Sequence, residues 1–267
     1  MNKSSKDMVF FKDVIAGYKR SRLWKKLAVL ELKSRYQGAV IGSFWIVLAL
    51  ALKVFMLSLV YSMVLDAVFE DYVMFLALGL LTWNFISAII ITSGTVFKKS
   101  ANFLQQMDLP LSIFVYQNVY REVLSLIMYQ LFAIPLVIIL KGWGVISWIW
   151  LWALLGYLII ILNAFFVCMW LGWLSARFRD FQSLLGSLVM IVFLVTPILW
   201  PPPPEFAGSL YFQLNPFYHL LELIRAPILH NQVPVLSWYV SCGVLLFNVM
   251  VCVIFYRTIR HRLVLWL

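Results

Sequence analysis

The chain has 267 residues, of which 64% are hydrophobic and only 12% are charged. Soluble domains carry about 25% charged residues, and a water-soluble fold this apolar would expose large apolar patches that soluble monomers avoid. The net charge of +10 would suggest nucleic acid in a soluble protein, but the basic residues here lie in particular loops, so membrane topology explains them better. We therefore expect a membrane protein and no nucleic-acid partner.

Residues 1–40 form a basic segment without the short apolar run and small-residue cleavage site of a signal peptide. Between residues 8 and 34 the apolar and basic residues alternate in a pattern that suits an amphipathic helix lying on an anionic membrane face. The apolar positions are Leu23, Leu27, Val29 and Leu30. The alternative is a solvated basic arm. Either way, 1–40 is predicted to be a cytoplasmic segment that precedes the membrane domain at 41–267.

Six apolar stretches are long enough to cross a bilayer core of about 30 Å as helices of about 20 residues. They are continuous rather than alternating, so they indicate helices and not the strands of a β-barrel. The fold class is therefore all-α, a polytopic membrane protein with six transmembrane helices. The predicted spans are 41–65, 72–97, 113–140, 145–174, 182–200 and 235–256.

The segment between the fifth and sixth spans is neither a span nor a short turn. It begins with four consecutive prolines, Pro201 to Pro204, which cannot lie inside a helix. Helical spacing returns from Leu210 to Leu229, interrupted by Pro216 and Pro227. We expect short re-entrant or interfacial helices here, in the outer leaflet.

The distribution of Lys and Arg predicts the orientation, because cytoplasmic loops are enriched in these residues. Seventeen of the 21 basic residues fall before the first span, in the second and fourth loops, or after the last span. Both termini are therefore predicted to be cytoplasmic. The opposite loops hold two of the remaining basic residues, Lys141 and Arg225.

The sequence offers no catalytic or metal-binding constellation. It has no glycine-rich phosphate loop followed by Lys, so the chain is not expected to bind ATP in that manner. The three histidines lie outside the spans, and no span contains paired carboxylates of the kind that relay protons. The three cysteines, Cys168, Cys242 and Cys252, lie in apolar runs without metal-ligand spacing and are interpreted as small core residues. We expect no enzyme activity and no cofactor on this chain.

Lys53 is the most informative single residue, because it lies near the middle of the first predicted span. An unpaired charge at that depth costs about 2.5–3.5 kcal/mol on insertion scales. Residues 49–57 contain no Asp or Glu, so compensation must come from another helix, water or an anionic substrate. The alternative is a Lys that bonds neighbouring carbonyls or snorkels to the interface. Arg121–Glu122, at the cytoplasmic end of the third span, is interpreted as a structural pair.

Four local patterns occur in a consistent order. They are Arg35-Tyr36 with Gly42 and Trp45; Leu109-Pro110; Arg177-Phe178-Arg179-Asp180; and Asn215-Pro216-Phe217-Tyr218-His219 with Arg225. In this order, with six spans and a basic amphipathic N-terminus, the chain resembles the permease subunit of type-2 ABC transporters for cell-surface polysaccharide, such as O-antigen, capsule or teichoic acid. The resemblance covers nearly the whole chain. The chain departs from the family at Ala39, at Ile41, in 51–53, where the family often has Pro, and before Leu109.

The resemblance implies a homodimer that encloses one translocation path, in the bacterial inner membrane. Two copies of a separate ABC ATPase would bind ATP and Mg, and the substrate would be a lipid-linked polysaccharide. One alternative is a type-2 ABC permease for a small lipid or drug. Another is a membrane-embedded glycosyl- or acyltransferase, which would need a buried catalytic cluster that the sequence does not show.

The resemblance also assigns candidate roles to the patterns. The substrate path would include Lys53, Arg35, Tyr36 and Trp45. Coupling to the ATPase would use the second loop, at Phe103, Leu104, Asp108, Leu109 and Pro110. A cytoplasmic gate or ion pair would use Arg177, Arg179 and Asp180. A periplasmic gate would use Asn215, Pro216, His219 and Arg225. Structural alternatives are interface anchoring for Arg35 and Tyr36, and an ordinary turn at Asn215-Pro216.

Overall fold

The structure is a computed structural model. It describes residues 3–35, 37–38, 42–107, 109–142, 144, 146–178, 180–202, 209–259 and 262–266. Throughout these ranges the regular structure is helical and no strand occurs, which confirms the all-α fold class. The predicted residues Tyr36, Asp108 and Arg179 lie outside the described residues.

Within those ranges, five helices are long and apolar enough to cross a membrane. All five predicted spans that they match have the expected position to within five residues at each end. The second ends four residues earlier than predicted, because the chain turns at Gly94 and Thr95 before a short helix begins. The five are α3 (Trp45–Val64), α4 (Phe69–Ser93), α7 (Ser112–Lys141), α8 (Trp150–Arg177) and α12 (Val235–Ile259). The chain is therefore a multi-pass membrane protein.

Two helices precede these spans, α1 (Lys3–Lys19) and α2 (Ser21–Arg35). Both pack on α7, and α1 also reaches α12. The buried face of α2 consists of Trp24, Ala28 and Leu32, spaced four residues apart. Leu23 and Leu30 are exposed on the other side. The basic segment is thus a pair of docked helices, and the leucines of the predicted apolar face do not make that contact.

Two short helices follow α4, namely α5 (Val96–Lys99) and α6 (Ala101–Gln106). Val96 and Phe97 are buried, and Phe97 is fully enclosed against α8. The second predicted loop is therefore a helical segment that is anchored in the core at its start.

Helix α9 (Phe181–Val195) has only 15 residues, whereas 182–200 is the predicted span. Fifteen residues make a helix of about 22 Å, which is shorter than the bilayer core of about 30 Å. The helix ends because Thr196 is extended, with φ −88° and ψ 137°, and the residue before a proline disfavours the helical region. Residues 196–202 continue without helix.

The segment between α9 and α12 contains α10 (Leu210–Gln213) and α11 (Pro216–Leu229). Pro216 is the first residue of α11, where its missing N–H costs nothing. Last in the chain is the short helix α13 (Leu263–Trp266), which packs on α8 and α6.

Helix α4 is the centre of the bundle. It packs against α3, α7, α8, α9 and α11, and Leu76, Leu80 and Leu81 on it are completely buried. By contrast, α3 and α12 have long exposed apolar faces. A bundle with a largely buried central helix and apolar outer helices is the arrangement that a lipid solvent permits.

Candidate functional site

Lys53 lies on the outer face of α3. The opposite face, which includes Leu50, Val54 and Ser58, is buried against the bundle. Leu52 and Met56, which flank Lys53, are 51% and 57% exposed. Among the described residues, Lys53 has no ion pair or hydrogen bond. The single chain therefore does not compensate this charge, and its role in a substrate path stays a prediction.

The other predicted path residues lie at the start of the same helix. Trp45 is the first residue of α3 and is 47% exposed. Arg35 ends α2 and is exposed. Between them, a 3-10 turn at Gly42–Phe44 joins the N-terminal segment to α3. This placement suits interfacial anchoring and contact with a substrate equally well.

The predicted docking face on the second loop is only partly available. Leu104 is 9% exposed and belongs to the hydrophobic core, so little of it is free in the single chain, and its docking role stays a prediction. The reason is that α6 turns this side chain inward, toward the bundle. Phe103 and Met107 are 49% and 56% exposed, while Leu109 and Pro110 are half-buried. An exposed apolar surface therefore remains at Phe103 and Met107.

Asp13 of α1 caps the N-terminus of α7. Its carboxylate accepts hydrogen bonds from the backbone N–H groups of Leu111 and Ser112, each at 3.0 Å. The Ser112 hydroxyl donates to the carbonyl oxygen of Asp13 at 2.8 Å. A negative charge at a helix N-terminus satisfies free donors and is favoured by the helix dipole. The cap ties α1 to the residue that follows the predicted coupling loop.

Arg121 of α7 is the centre of a second polar network. Its guanidinium group donates to Glu122 at 2.7 and 2.9 Å, to Asn118 at 2.7 Å, and also to Glu31 of α2. Asn118 in turn donates to Thr92 of α4 at 2.9 Å. Arg121 and Glu122 are 2% and 5% exposed. The predicted structural pair is confirmed, and it extends to two further helices.

The Arg121 network also reaches the coupling loop. Lys99 Nζ, at the end of α5, lies 3.9 Å from the same Glu31 carboxylate. The pair is largely exposed, with side-chain exposures of 61% and 27%, so it contributes little stability by itself. Its importance is geometric, because one carboxylate of α2 contacts both α7 and the loop.

Arg179 lies outside the described residues, so the predicted ion pair within Arg177-Phe178-Arg179-Asp180 stays a prediction. The guanidinium of Arg177 lies over the rings of Trp266 and Phe178, with centroid distances of 5.2 and 5.5 Å. Asp180 is exposed. Arg177 prefers the aromatic faces because Trp266 of α13 returns to the end of α8, and cations bind ring faces at this distance.

Asn215 and His219 organise the start of α11. Asn215 Oδ1 accepts from the N–H groups of Phe217 and Tyr218, and its Nδ2 donates to Thr196 Oγ1 at 3.1 Å. This is a side-chain N-cap. His219 is buried, with Nδ1 2.9 Å from Ser237 Oγ and Nε2 3.0 Å from the Gln213 carbonyl oxygen. Because a carbonyl only accepts, Nε2 carries the proton and Ser237 donates to Nδ1.

Arg225 is a buried clamp on the chain that leaves α9. Its Nη1 and Nη2 donate to the carbonyl oxygens of Pro197 and Ile198 at 2.7 and 3.0 Å. Its guanidinium lies 3.8 Å from the ring centroid of Phe75. Nearby, the Tyr72 hydroxyl donates to the Leu199 carbonyl oxygen. The carbonyls that a broken helix leaves unpaired are thus satisfied by side chains of α4 and α11.

Burial lowers the pKa of Arg225 to about 10, and Glu222 opposes this shift. The same burial raises the pKa of the Glu222 carboxyl above its ordinary value, with Arg225 acting in the other direction. Arg225 therefore remains a cation at neutral pH. The predicted periplasmic gate residues Asn215, Pro216, His219 and Arg225 cap or belong to α11, and their role in a gate stays a prediction.

Sequence analysis did not identify Asp13, Glu31, Tyr72 or Gly79 as partners in these sites. A Cβ at Gly79 would overlap the Arg225 guanidinium, so this glycine provides the space for the clamp. The sequence does single out Asp13 and Glu31, because carboxylates are rare in the basic N-terminal segment. Their partners lie about 90 to 100 residues later, which the sequence does not reveal.

The fold and these sites define a multi-pass membrane protein in which buried polar groups connect neighbouring helices. The ABC-2 type transporter family matches residues 22–229, which is most of the 267-residue chain. The chain belongs to the ABC-2 type transporter family. Membership makes it a transporter membrane subunit and implies an ATPase partner.

The chain is similar to proteins named O-antigen export system permease protein RfbA. It is 26% identical to the one from Myxococcus xanthus over 227 residues, which cover 81% of this chain and 84% of that protein. It is 26% identical to two from Klebsiella pneumoniae over 174 and 178 residues, which cover 64% of this chain and 65% of each relative.

Proposed function

We propose that the chain is the membrane subunit of an ATP-driven exporter that moves lipid-linked polysaccharide, of the O-antigen class, across the bacterial inner membrane. The observation that carries the proposal is the similarity to O-antigen export permeases over 81% of the chain. The exposed Lys53, on an otherwise apolar outer face, favours a substrate that is anionic. This feature fits a lipid-linked sugar carrier better than a neutral drug.

The proposed topology has six crossings. Helix α9 supplies about 22 Å, and residues 196–200 continue the chain beyond it through bends, without helix. The helix and this non-helical segment together form the fifth crossing of the core of about 30 Å. Side chains satisfy the backbone at the break, as membrane proteins require where non-helical backbone lies at depth. Six crossings return both termini to the cytoplasmic side, in agreement with the positions of Lys and Arg.

The active unit is a homodimer whose translocation path runs between the two copies. The outer face of α3, with Lys53 and Met56, and the outer face of α9, with Ile191 and Leu194, are both exposed in the single chain. Pairing two copies through these faces removes Lys53 from lipid and places it beside a path that water and the substrate occupy. An intramembrane charge that faces a cavity is stabilised in this way.

Two separate ATPase subunits bind on the cytoplasmic side at α5 and α6, and they bind ATP and Mg. Phe103 and Met107 provide an exposed apolar contact there. Movement of this loop is transmitted along two connections. Lys99 shares the Glu31 carboxylate with Arg121, and Asp13 holds the residues just after the loop. ATP binding then shifts the dimer between two states through contacts that differ between them.

The test uses the purified chain with and without a separate ABC ATPase subunit from the same organism. The chain alone should not hydrolyse ATP. Addition of the ATPase should give a complex whose hydrolysis is stimulated by lipid-linked polysaccharide. Hydrolysis by this chain alone, or stimulation by small lipids and not by the glycolipid, would overturn the proposal.

A further inference from the structure

Helix α6, where the ATPase is proposed to bind, depends on other helices for its position. It has only six residues, and isolated helices shorter than about 12 residues are marginal in water. Among the described residues, the helices on which α6 packs most extensively are α5, which directly precedes it, and α13. Its ring contact with α7 joins Phe103 to Phe114, with centroids 6.3 Å apart. Helix α13 is therefore the main support of α6 from a distant part of the chain.

Helix α13 is itself packed at both ends. The chain turns after α12, since the Arg262 N–H donates to the Ile259 carbonyl oxygen at 2.9 Å. Leu263, the first residue of α13, is completely buried. Trp266, the last residue, is half-buried and packs against the hydrophobic core. A helix of four residues thus keeps its place through its side chains.

The end of α12 that leads to α13 is also fixed. Tyr256 is 2% exposed, and its ring contacts Phe10 of α1 and Trp173 of α8, with centroid distances of 5.3 and 5.8 Å. Ile259, the last residue of α12, is buried as well. Helix α13 therefore starts from a well-packed point beside α8.

Trp266 joins α13 to the end of α8. The Arg177 guanidinium, in the last turn of α8, lies 5.2 Å from its ring centroid, within the range of a cation–π contact. Arg177 is exposed, so loss of this contact would not leave a buried charge. Because α13 packs on both α6 and α8, this one short helix connects the ATPase-docking helix to the end of a long membrane helix.

The start of the same loop rests on α8 close to this point. Phe97 of α5 is completely buried, and a Cβ at Gly172 of α8 would lie 2.8 Å from its ring. The α5–α6 segment is therefore supported by α8 twice, directly at Phe97 and through α13 at α6. A displacement of α6 that preserves both contacts must move the end of α8 with it.

We propose that α13 is a brace that makes α6 and the end of α8 move as one unit, and that Trp266 is a positioning residue for coupling. The proposal rests on the proposed function, in which α6 is the ATPase contact. The brace adds a connection to α8, whereas Glu31 and Asp13 connect the loop region to α2, α7 and α1. Helix α8 packs on α4, α11 and α12, so movement of its end reaches most of the bundle.

The test measures backbone amide exchange by mass spectrometry on the permease–ATPase complex in bilayer nanodiscs. The amides of Leu104 and Met107 report on α6, since they donate to the carbonyl oxygens of Ser100 and Phe103 at 3.0 and 2.9 Å. Trp266→Ala should raise their exchange about two- to fivefold, the change that loss of a cation–π contact of about 0.5–1 kcal/mol produces. Exchange in α4 should stay as in wild type.

A second readout follows transmission from the ATPase to α8. In wild type, a non-hydrolysable ATP analogue should change amide exchange in the last turn of α8. In Trp266→Ala the ATPase should stay bound, but this change should be lost. Trp266→Phe keeps an aromatic face and should restore both readouts. Trp148→Ala, at an 87% exposed position before α8, is the matched control and should behave as wild type.

Arg177→Gln covers the case in which Trp266→Ala does not fold, because it removes only the cation, and it should also raise the exchange of α6. Unchanged exchange of α6 in the folded variants, or an equal rise in α4, would overturn the brace. So would an ATP-dependent change in α8 that keeps its wild-type size in Trp266→Ala. These readouts do not use the transported substrate. A permease that binds no ATPase would contradict the proposed function, and exchange of α6 in the free permease would still test the brace.

Discussion

The guanidinium group of Arg121 is bonded to the carboxylate of Glu31, which lies 90 residues earlier in the chain. Arg121 is almost fully buried, whereas the Glu31 side chain is 27% exposed. The contact connects helix α2 to the long helix α7, and Lys99 brings the coupling loop to the same carboxylate. A helix that carries no span is thus attached to the transmembrane bundle by a charged group in addition to its buried apolar face.

Glu31→Gln should loosen α2 from α7, because a charged partner of Arg121 is replaced by a neutral amide. A hydrogen bond to a charged group contributes about 1.5–3 kcal/mol, and partial exposure places this contact at the lower end. The measurement is protease susceptibility at the junction between α1 and α2 in membrane vesicles, which should increase. Glu70→Gln, at an exposed position on α4, is the control. Equal cleavage of the two variants would show that Glu31 does not hold α2.

Gly79→Ala should destabilise the protein because the added methyl group displaces Arg225 from the carbonyl oxygens of Pro197 and Ile198. Overpacking of a well-filled core costs about 1–3 kcal/mol. The control is Gly243→Ala in α12, where a Cβ meets open space and the helix gains up to about 1 kcal/mol.

The measurement for this pair is the thermal unfolding midpoint of the purified protein in one detergent. Gly79→Ala should unfold at a lower temperature than wild type, and Gly243→Ala at the same or a higher temperature. Equal midpoints for the two variants would mean that the Arg225 clamp does not require the space at Gly79.

Hydropathy was sufficient to predict the positions of the five long helices, because each crossing of a bilayer by a helix requires a long apolar segment. It failed at α9, where apolar residues continue to Trp200 but the helix ends at Val195. Thr196-Pro197 indicates the end of a helix, because the residue before a proline disfavours the helical region. The hydropathy of this stretch does not show that end, because the residues on both sides are apolar. The carbonyl oxygens that Arg225 satisfies belong to residues 27 and 28 positions away. Backbone partners at such a distance leave no pattern in the sequence.

Local backbone structure at the candidate site residues was predictable from the sequence, but the burial and contacts of their side chains were less so. At Asn215-Pro216, where the sequence indicates a turn, Asn215 is the N-cap of α11. The burial of Leu104 was not predicted, because α6 has only six residues. So few positions do not reveal which face of the helix turns inward. Arg177 lies on the ring of Trp266, 89 residues later, a contact that charge patterns could not suggest.

Phe103→Asp should abolish association with the ATPase while the permease remains inserted. Phe103 is 49% exposed, so a charge there meets water in the free chain but would be buried in the docked complex. The measurement is co-purification of the ATPase, normalised to permease in the membrane. Gln106→Asp, exposed on the same short helix, is the control for added charge. Wild-type recovery of the ATPase with Phe103→Asp would exclude this surface as the main contact.

Leu104→Asp provides a contrast with Phe103→Asp, because Leu104 is a core residue. An unpaired carboxylate there should lower the amount of folded permease itself. Its effect on ATPase recovery should disappear after normalisation to folded protein.

Lys53→Met should leave the dimer folded and bound to its ATPase, since it removes a charge that costs about 2.5–3.5 kcal/mol at mid-membrane. Export per folded complex should nevertheless fall, because the anionic substrate loses its counter-charge in the path. Met56→Ala, on the same exposed face, is the control for lost side-chain volume. Full export by Lys53→Met at normal complex levels would remove Lys53 from the path.

We propose that this chain moves lipid-linked polysaccharide outward, and export can be followed in cells from which the chain is depleted. The measurement uses pulse-labelled glycolipid and compares the amounts on the two faces of the inner membrane. Depletion should leave completed lipid-linked polysaccharide on the cytoplasmic face and none at the cell surface, with recovery when wild-type chain is restored. Surface polysaccharide that continues to appear at the normal rate after depletion would contradict the account.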